Sequence, residues 1–122
     1  GKSLGGGIAV ELAVRFPKCR CLILAKTFDS VTAAANRLLP LLPLGRLLRT
    51  RFDNLSKMSS LRLPVLLAQG DADHLFPVKI GQALFDQAPE LKRLIVLRDH
   101  GHDDPLDDEF FSAVKEFLPA RE

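Results

Sequence analysis

Apolar residues recur with two different periods along this chain. Ile8, Leu12 and Phe16 stand at helical spacing with Ala9 and Ala13 beside them, and Glu11 and Arg15 form an i,i+4 pair, so a helix is predicted there, ended by Pro17. Three short apolar runs follow, CLILA at 21–25, PVLLAQ at 64–69 and LIVL at 94–97. Each reads as a strand buried on both faces, the mark of a parallel sheet. Between the second and third runs, Pro77 opens a predicted crossover helix through Val78, Ile80, Ala83, Leu84 and Phe85, which Pro89 closes. After the third run, Asp107, Asp108 and Glu109 favour a helix N-terminus, and Phe110, Phe111, Val114, Phe117 and Leu118 make an apolar stripe up to Pro119.

Helix and strand thus alternate, which predicts an α/β fold: a parallel sheet flanked by helices with right-handed crossovers, and chemistry at the carboxyl ends of the strands. The excursion over 27–62 is longer than a plain crossover needs. Its helical pattern at 31–39, its prolines and its many leucines predict a short helical lid. There is no internal repeat, and residues 1–122 read as one domain, itself part of a longer one because Gly1 falls inside a motif.

Seventeen basic against fifteen acidic residues leave a formal charge of +2, evenly spread, which gives no nucleic-acid footprint. The densest basic stretch, Arg46, Arg49, Arg51 and Lys57, reads as solvated surface charge. Cys19 and Cys21 lie in a strand-like run with side chains on one face. They fit buried packing in a reducing, cytoplasmic compartment better than a disulfide or a metal site. The apolar stretch at 38–48 is broken by Pro40, Pro43, Gly45 and Arg46, whereas a membrane span needs about 20 apolar residues, so no transmembrane segment is expected within the chain.

The chemistry gathers in three loops. Gly1-Lys2-Ser3-Leu4-Gly5 fits G-x-S-x-G, a tight strand-to-helix turn that exposes a serine hydroxyl while Gly1 and Gly5 let backbones pass. The Leu4 backbone N–H, at the start of the helix, is placed to meet a developing oxyanion. A serine hydroxyl needs a base, and the base a carboxylate to orient it. Gly70-Asp71-Ala72-Asp73 follows the second predicted strand, and His100-Gly101-His102 the third, in the order acid then base.

With these three loops the chain resembles the C-terminal half of an α/β-hydrolase, of the small-lid lineage akin to lysophospholipase-like and dienelactone-hydrolase-like enzymes. The resemblance spans nearly the whole chain. The family's acid loop reads like G-x-x-D-x-x-V-P, which Gly70, Asp73 and Pro77 match with Phe76 in place of valine, so the resemblance gives the acid role to Asp73 rather than Asp71. Its histidine loop puts the base at His102 and leaves His100 at a position usually small. Thr27, Phe28 and Asp29 match a T-F-x-S-like segment beside the pocket.

The resemblance implies a serine hydrolase acting on a small acyl or ester substrate with Ser3, His102 and Asp73, without cofactor or metal. His74 is expected to face solvent, Asp103 and Asp104 to act as caps, and Asp29 and Ser30 to cap the lid helix. In the family the second oxyanion donor comes from upstream, so the isolated 122-residue piece is expected to be inactive and prone to aggregate. The sequence specifies no oligomeric state.

Three rivals share these residues. Gly1-Lys2-Ser3 matches the end of a phosphate-binding loop, but Gly5, Gly6 and Gly7 weaken the helix such a loop needs. His100, His102 and Asp104 spell H-x-H-x-D, a zinc-loop pattern to which Asp71 and Asp73 could add oxygens, yet His74 is the only histidine left over. A non-catalytic relative binding partners through the same surface is the third.

Overall fold

The computed structural model describes residues 1–42 and 51–119. Its elements run α1 (Leu4–Arg15), β1 (Leu22–Ala25), α2 (Val31–Leu38), α3 (Asn54–Met58), β2 (Val65–Gly70), α4 (Val78–Gln87), β3 (Lys92–Leu97) and α5 (Asp108–Phe117). The strands form a parallel sheet in the order β1-β2-β3, with Leu24 opposite Leu67 and Ala68 opposite Ile95. Alternate strand residues face opposite sides. Leu22, Leu24, Val65 and Leu67 join Val10 of α1, Met58 of α3, and Ile80 and Leu84 of α4 in the larger core. On the other side, the small residues Ala25 and Ala68 leave room for Phe110 of α5, beside Leu97.

Every residue of β2 is buried, as its apolar run predicts. β3 differs: it begins at Lys92, two residues before the predicted run, and is only partly covered, with Arg93 and Val96 exposed. As the edge strand of the described sheet it is protected on one side only. The burial of α1 also departs from its pattern. The sheet-facing side carries Gly6, Gly7, Val10 and Ala13, while Leu4, Ile8 and Leu12 form an exposed stripe, 62%, 52% and 46% accessible. Small residues win the inner face because the helix lies close to its neighbours: a Cβ on Gly7 would sit 3.0 Å from Phe52 and 3.1 Å from Phe28.

Cys19 is exposed in the turn after α1 and Cys21 is half-buried ahead of β1, both as free thiols. The strand starts only at Leu22, so both cysteines lie outside it, and Cys19 is exposed rather than buried as its pattern suggests. Within the excursion at 27–62, α2 is capped by Ser30, whose hydroxyl accepts from the Ala33 N–H, as expected. The short helix α3 was not predicted. It packs against α1 and α4, with the buried Met58 in the same core as Val10, Ile80 and Leu84, so this part of the excursion belongs to the core layer. Lys57 of α3 and Arg15 both pair with Glu11. Arg46 and Arg49, and Leu44, Leu47 and Leu48 of the predicted lid, lie outside the described residues. Among the described residues, no helix is long and apolar enough to cross a membrane.

The three loops predicted to carry chemistry meet at the carboxyl ends of the strands. Residues 1–3 run alongside β1: Ala25 N–H donates to Gly1 O at 2.9 Å, and Ser3 N–H donates to Ala25 O at 3.0 Å. The acid and histidine loops stack directly. Ala72 N–H donates to His100 O, and Asp99 N–H donates to the Asp71 carboxylate at 2.7 Å. A Cβ on Gly70 would stand 2.1 Å from His100 O, a backbone atom with little freedom to move. Gly70→Ala is expected to destabilise the protein by about 1–3 kcal/mol through this overpacking, read as a lower midpoint in urea unfolding.

Candidate active site

Ser3 occupies the N-cap of α1, a position where a serine side chain usually accepts from the helix's own amides. Here it makes no such bond. Its backbone is instead held at φ 50°, ψ −122°, a sparsely populated conformation for a residue with a Cβ, which costs about 1–3 kcal/mol. The turn aims the hydroxyl away from the helix and across the sheet, where Ser3 Oγ lies 2.9 Å from His102 Nε2. Gly1 makes the sharp turn possible, since a Cβ there would be 2.4 Å from Gly5 O. Gly5 has no such duty among the described residues, because a Cβ on it would meet nothing within 4 Å.

His102 Nδ1 lies 3.0 Å from Asp73 Oδ2. The Asp73 side chain is fully buried, and its other oxygen, Oδ1, accepts from the Leu75 and Phe76 amides at 2.9 and 2.8 Å. The Phe76 ring meets the His102 imidazole edge-on at 5.1 Å and Phe28 at 5.7 Å, so one flank of the histidine is apolar. Leu4 is the first residue of α1, where helix geometry leaves its N–H without an intrahelical acceptor. Hydroxyl, imidazole and buried carboxylate form one hydrogen-bonded relay beside that amide.

The neighbouring polar residues have other partners. Asp71 is exposed and holds the Asp99 amide, and His74 faces solvent. Asp104 caps its own loop by accepting from Gly101 N–H at 2.6 Å. His100 Nε2 lies 2.8 Å from Asp107 Oδ2, while Asp107 Oδ1 caps α5 by accepting from Phe110 N–H. That amide and then His100 hold the Asp107 carboxyl below its usual range, against an opposing effect of desolvation. His100, His102 and Asp104 therefore point to three separate partners, and the described residues contain no group of three or more side chains able to hold a metal ion. A cavity of about 440 Å³ lined by Pro64, Glu90, Leu91, Lys92, Arg93 and Phe117 lies around the start of β3, at the opposite end of the sheet.

The sequence reading passed over Lys26, which directly follows β1. Its side chain is fully buried, and Nζ donates to the carbonyls of Gly101 at 2.8 Å and Asp104 at 2.6 Å. The next residue, Thr27, donates through its hydroxyl to Ser3 O at 2.8 Å. Two buried amides secure this segment from behind: Gln69 donates to Thr27 O and Asn54 to Phe28 O. A lysine flush against the end of a fully apolar strand was the available signal, since such a residue is rarely buried without a task.

No family model matches the chain. Among curated proteins it is 36% identical over 121 residues to an uncharacterised protein of Mycobacterium tuberculosis, covering 97% of this chain and 43% of that protein. It is 32% identical over 119 residues to the uncharacterised protein YfhR of Escherichia coli K12, covering 95% and 41%. The chain thus spans about two fifths of these relatives. Among solved structures it resembles an acetyl xylan esterase from Paenibacillus sp. R4 (TM-score 0.73, 16% identity, 96% of this chain and 43% of that one). It also resembles an α/β-hydrolase enzyme from a lagoon-sediment metagenome (0.70, 18%, 96% and 58%) and a monoacylglycerol lipase from Paleococcus ferrophilus (0.68, 21%, 97% and 66%). The fold is that of the α/β-hydrolases, in mixed α/β form with a parallel sheet flanked by helices.

Proposed function

We propose that the protein is a serine hydrolase that cleaves a carboxylic ester or related acyl bond through an acyl-enzyme. The observation that carries this reading is the strained Ser3, with its hydroxyl 2.9 Å from an imidazole whose far nitrogen meets a buried carboxylate at 3.0 Å. That the solved structures sharing the fold include an esterase and a lipase supports it. His102 Nε2 takes the Ser3 proton as Oγ attacks the acyl carbonyl, and ionised Asp73 holds the tautomer and stabilises the imidazolium. The Leu4 N–H stabilises the oxyanion. As the tetrahedral adduct collapses, His102 returns the proton to the departing alcohol. Water then adds to the acyl-enzyme with the same histidine as base, releasing the acid and restoring Ser3.

An apolar acyl or alkyl group suits the exposed Leu38, Leu39, Leu41 and Leu42 of the lid segment. The free thiols of Cys19 and Cys21 favour a cytoplasmic location. In the complete protein, p-nitrophenyl esters are expected to give an initial burst of p-nitrophenol equal to the enzyme present. A fluorophosphonate probe is expected to modify the peptide carrying Ser3, read by mass spectrometry. Hydrolysis that a chelator abolishes, with Ser3 left unmodified, would overturn the proposal.

A further inference from the structure

We infer that Lys26 is a positioning residue for His102: its buried ammonium ties together the two backbone carbonyls that bracket the histidine, and so sets where the imidazole stands opposite Ser3. The inference rests on the serine-hydrolase reading of the site. Gly101 and Asp104 lie on either side of His102 and Asp103 in the chain, and Nζ reaches both of their carbonyls from beneath the loop. A side chain that reached only one would leave the loop free to swing about the other. The base of this clamp is firm. Lys26 is held at φ 49°, its N–H donates to Ala68 O at 2.8 Å, and Thr27 beside it grips Ser3 O. A single two-residue segment is therefore bonded to the serine's turn on one side and to the histidine's loop on the other. The distance between Ser3 and His102 depends on that segment.

The charge of the clamp acts as well as its geometry. Burial lowers the Lys26 ammonium from its ordinary range, and Lys2 on the serine's turn pushes the same way. Asp104 in the histidine loop, Asp73 in the acid loop and Asp107 at the start of α5 oppose them. The cation thus faces carboxylates from each of the loops packed on it, the partner of His102 among them. A charged donor also strengthens the clamp itself, because an ammonium donating to carbonyls makes charge-assisted hydrogen bonds.

The test follows the rate of Ser3 modification by a fluorophosphonate as a function of pH, in the complete protein. With Lys26→Met, which keeps the length and loses the charge and the donors, the plateau rate is expected to fall about 10- to 100-fold, the scale set by small misplacements of a reacting group. Lys26→Arg, which restores a cation with donors, is expected to return the rate toward wild type. A residue that merely supports the fold would lower the melting temperature and leave the rate of the folded protein in place, and that result overturns the inference. So does a Met variant that matches wild type in rate. Should the Met variant fail to fold, the Arg variant decides: a near-wild-type rate supports the inference, and a loss of rate in a variant that melts as wild type does overturns it. Wild-type protein that takes up no probe overturns the serine-hydrolase reading itself, an outcome distinct from all of these.

Discussion

Ser3→Ala in the complete protein is expected to lower kcat for ester hydrolysis about 10⁶-fold while the protein folds and melts as before, because removal of the nucleophile of such a relay removes nearly all its chemistry at once. Ser3 is held at φ 50°, and an alanine at that position is strained in the same way, so the melt is not expected to move. Turnover of a p-nitrophenyl ester and a thermal melt, recorded on the same preparation, check both halves of the expectation. A variant within tenfold of wild type would remove Ser3 from the mechanism.

The second large effect belongs to Asp73→Asn, for which kcat is expected to fall about 10⁴-fold with little change in KM. The reason lies in how Asp73 is held. Its Oδ1 accepts from two backbone amides, those of Leu75 and Phe76, so in an asparagine that position has to be filled by the carbonyl oxygen. The amide nitrogen is then forced to the place of Oδ2, facing His102 Nδ1. It donates where the carboxylate accepted. Nδ1 becomes the bare nitrogen, Nε2 carries the hydrogen, and the imidazole can no longer take a proton from Ser3. Steady-state kinetics separates this outcome from a binding defect, and a crystal structure of the variant is expected to show the three side chains nearly where they were.

Much of this arrangement was legible before any coordinate. A serine turn, an aspartate loop and a histidine loop, each just after a strand and in that order, constrain one another, and the relay of Ser3, His102 and Asp73 joins residues up to 99 positions apart in the chain. Other features escaped for identifiable reasons. The five-residue helix α3 is too short to display a period, so the burial of Met58 depends on contacts with α1 and α4, and that of Asn54 goes with its bond to Phe28 O. The stripe of Ile8 and Leu12 obeys helical spacing and still faces outward, because periodicity finds an apolar face without saying what covers it. Lys26 is invisible to pattern altogether: its partners are backbone carbonyls more than seventy residues away, and a carbonyl has no residue type to recognise.

Ala25 and Ala68, the two small residues beneath Phe110, carry an implication for how this protein tolerates change. The histidine loop is strung between the end of β3 and the start of α5, and α5 is seated by Phe110 in the hollow those alanines leave. Enlarging either alanine lifts one end of the loop while the sheet stays paired. A selection for lost activity with abundance retained should therefore return interior substitutions at these positions as readily as substitutions of Ser3, Asp73 or His102 themselves. In such a map the hollow would stand out as a second hot region, on the reverse of the sheet from α1, α3 and α4.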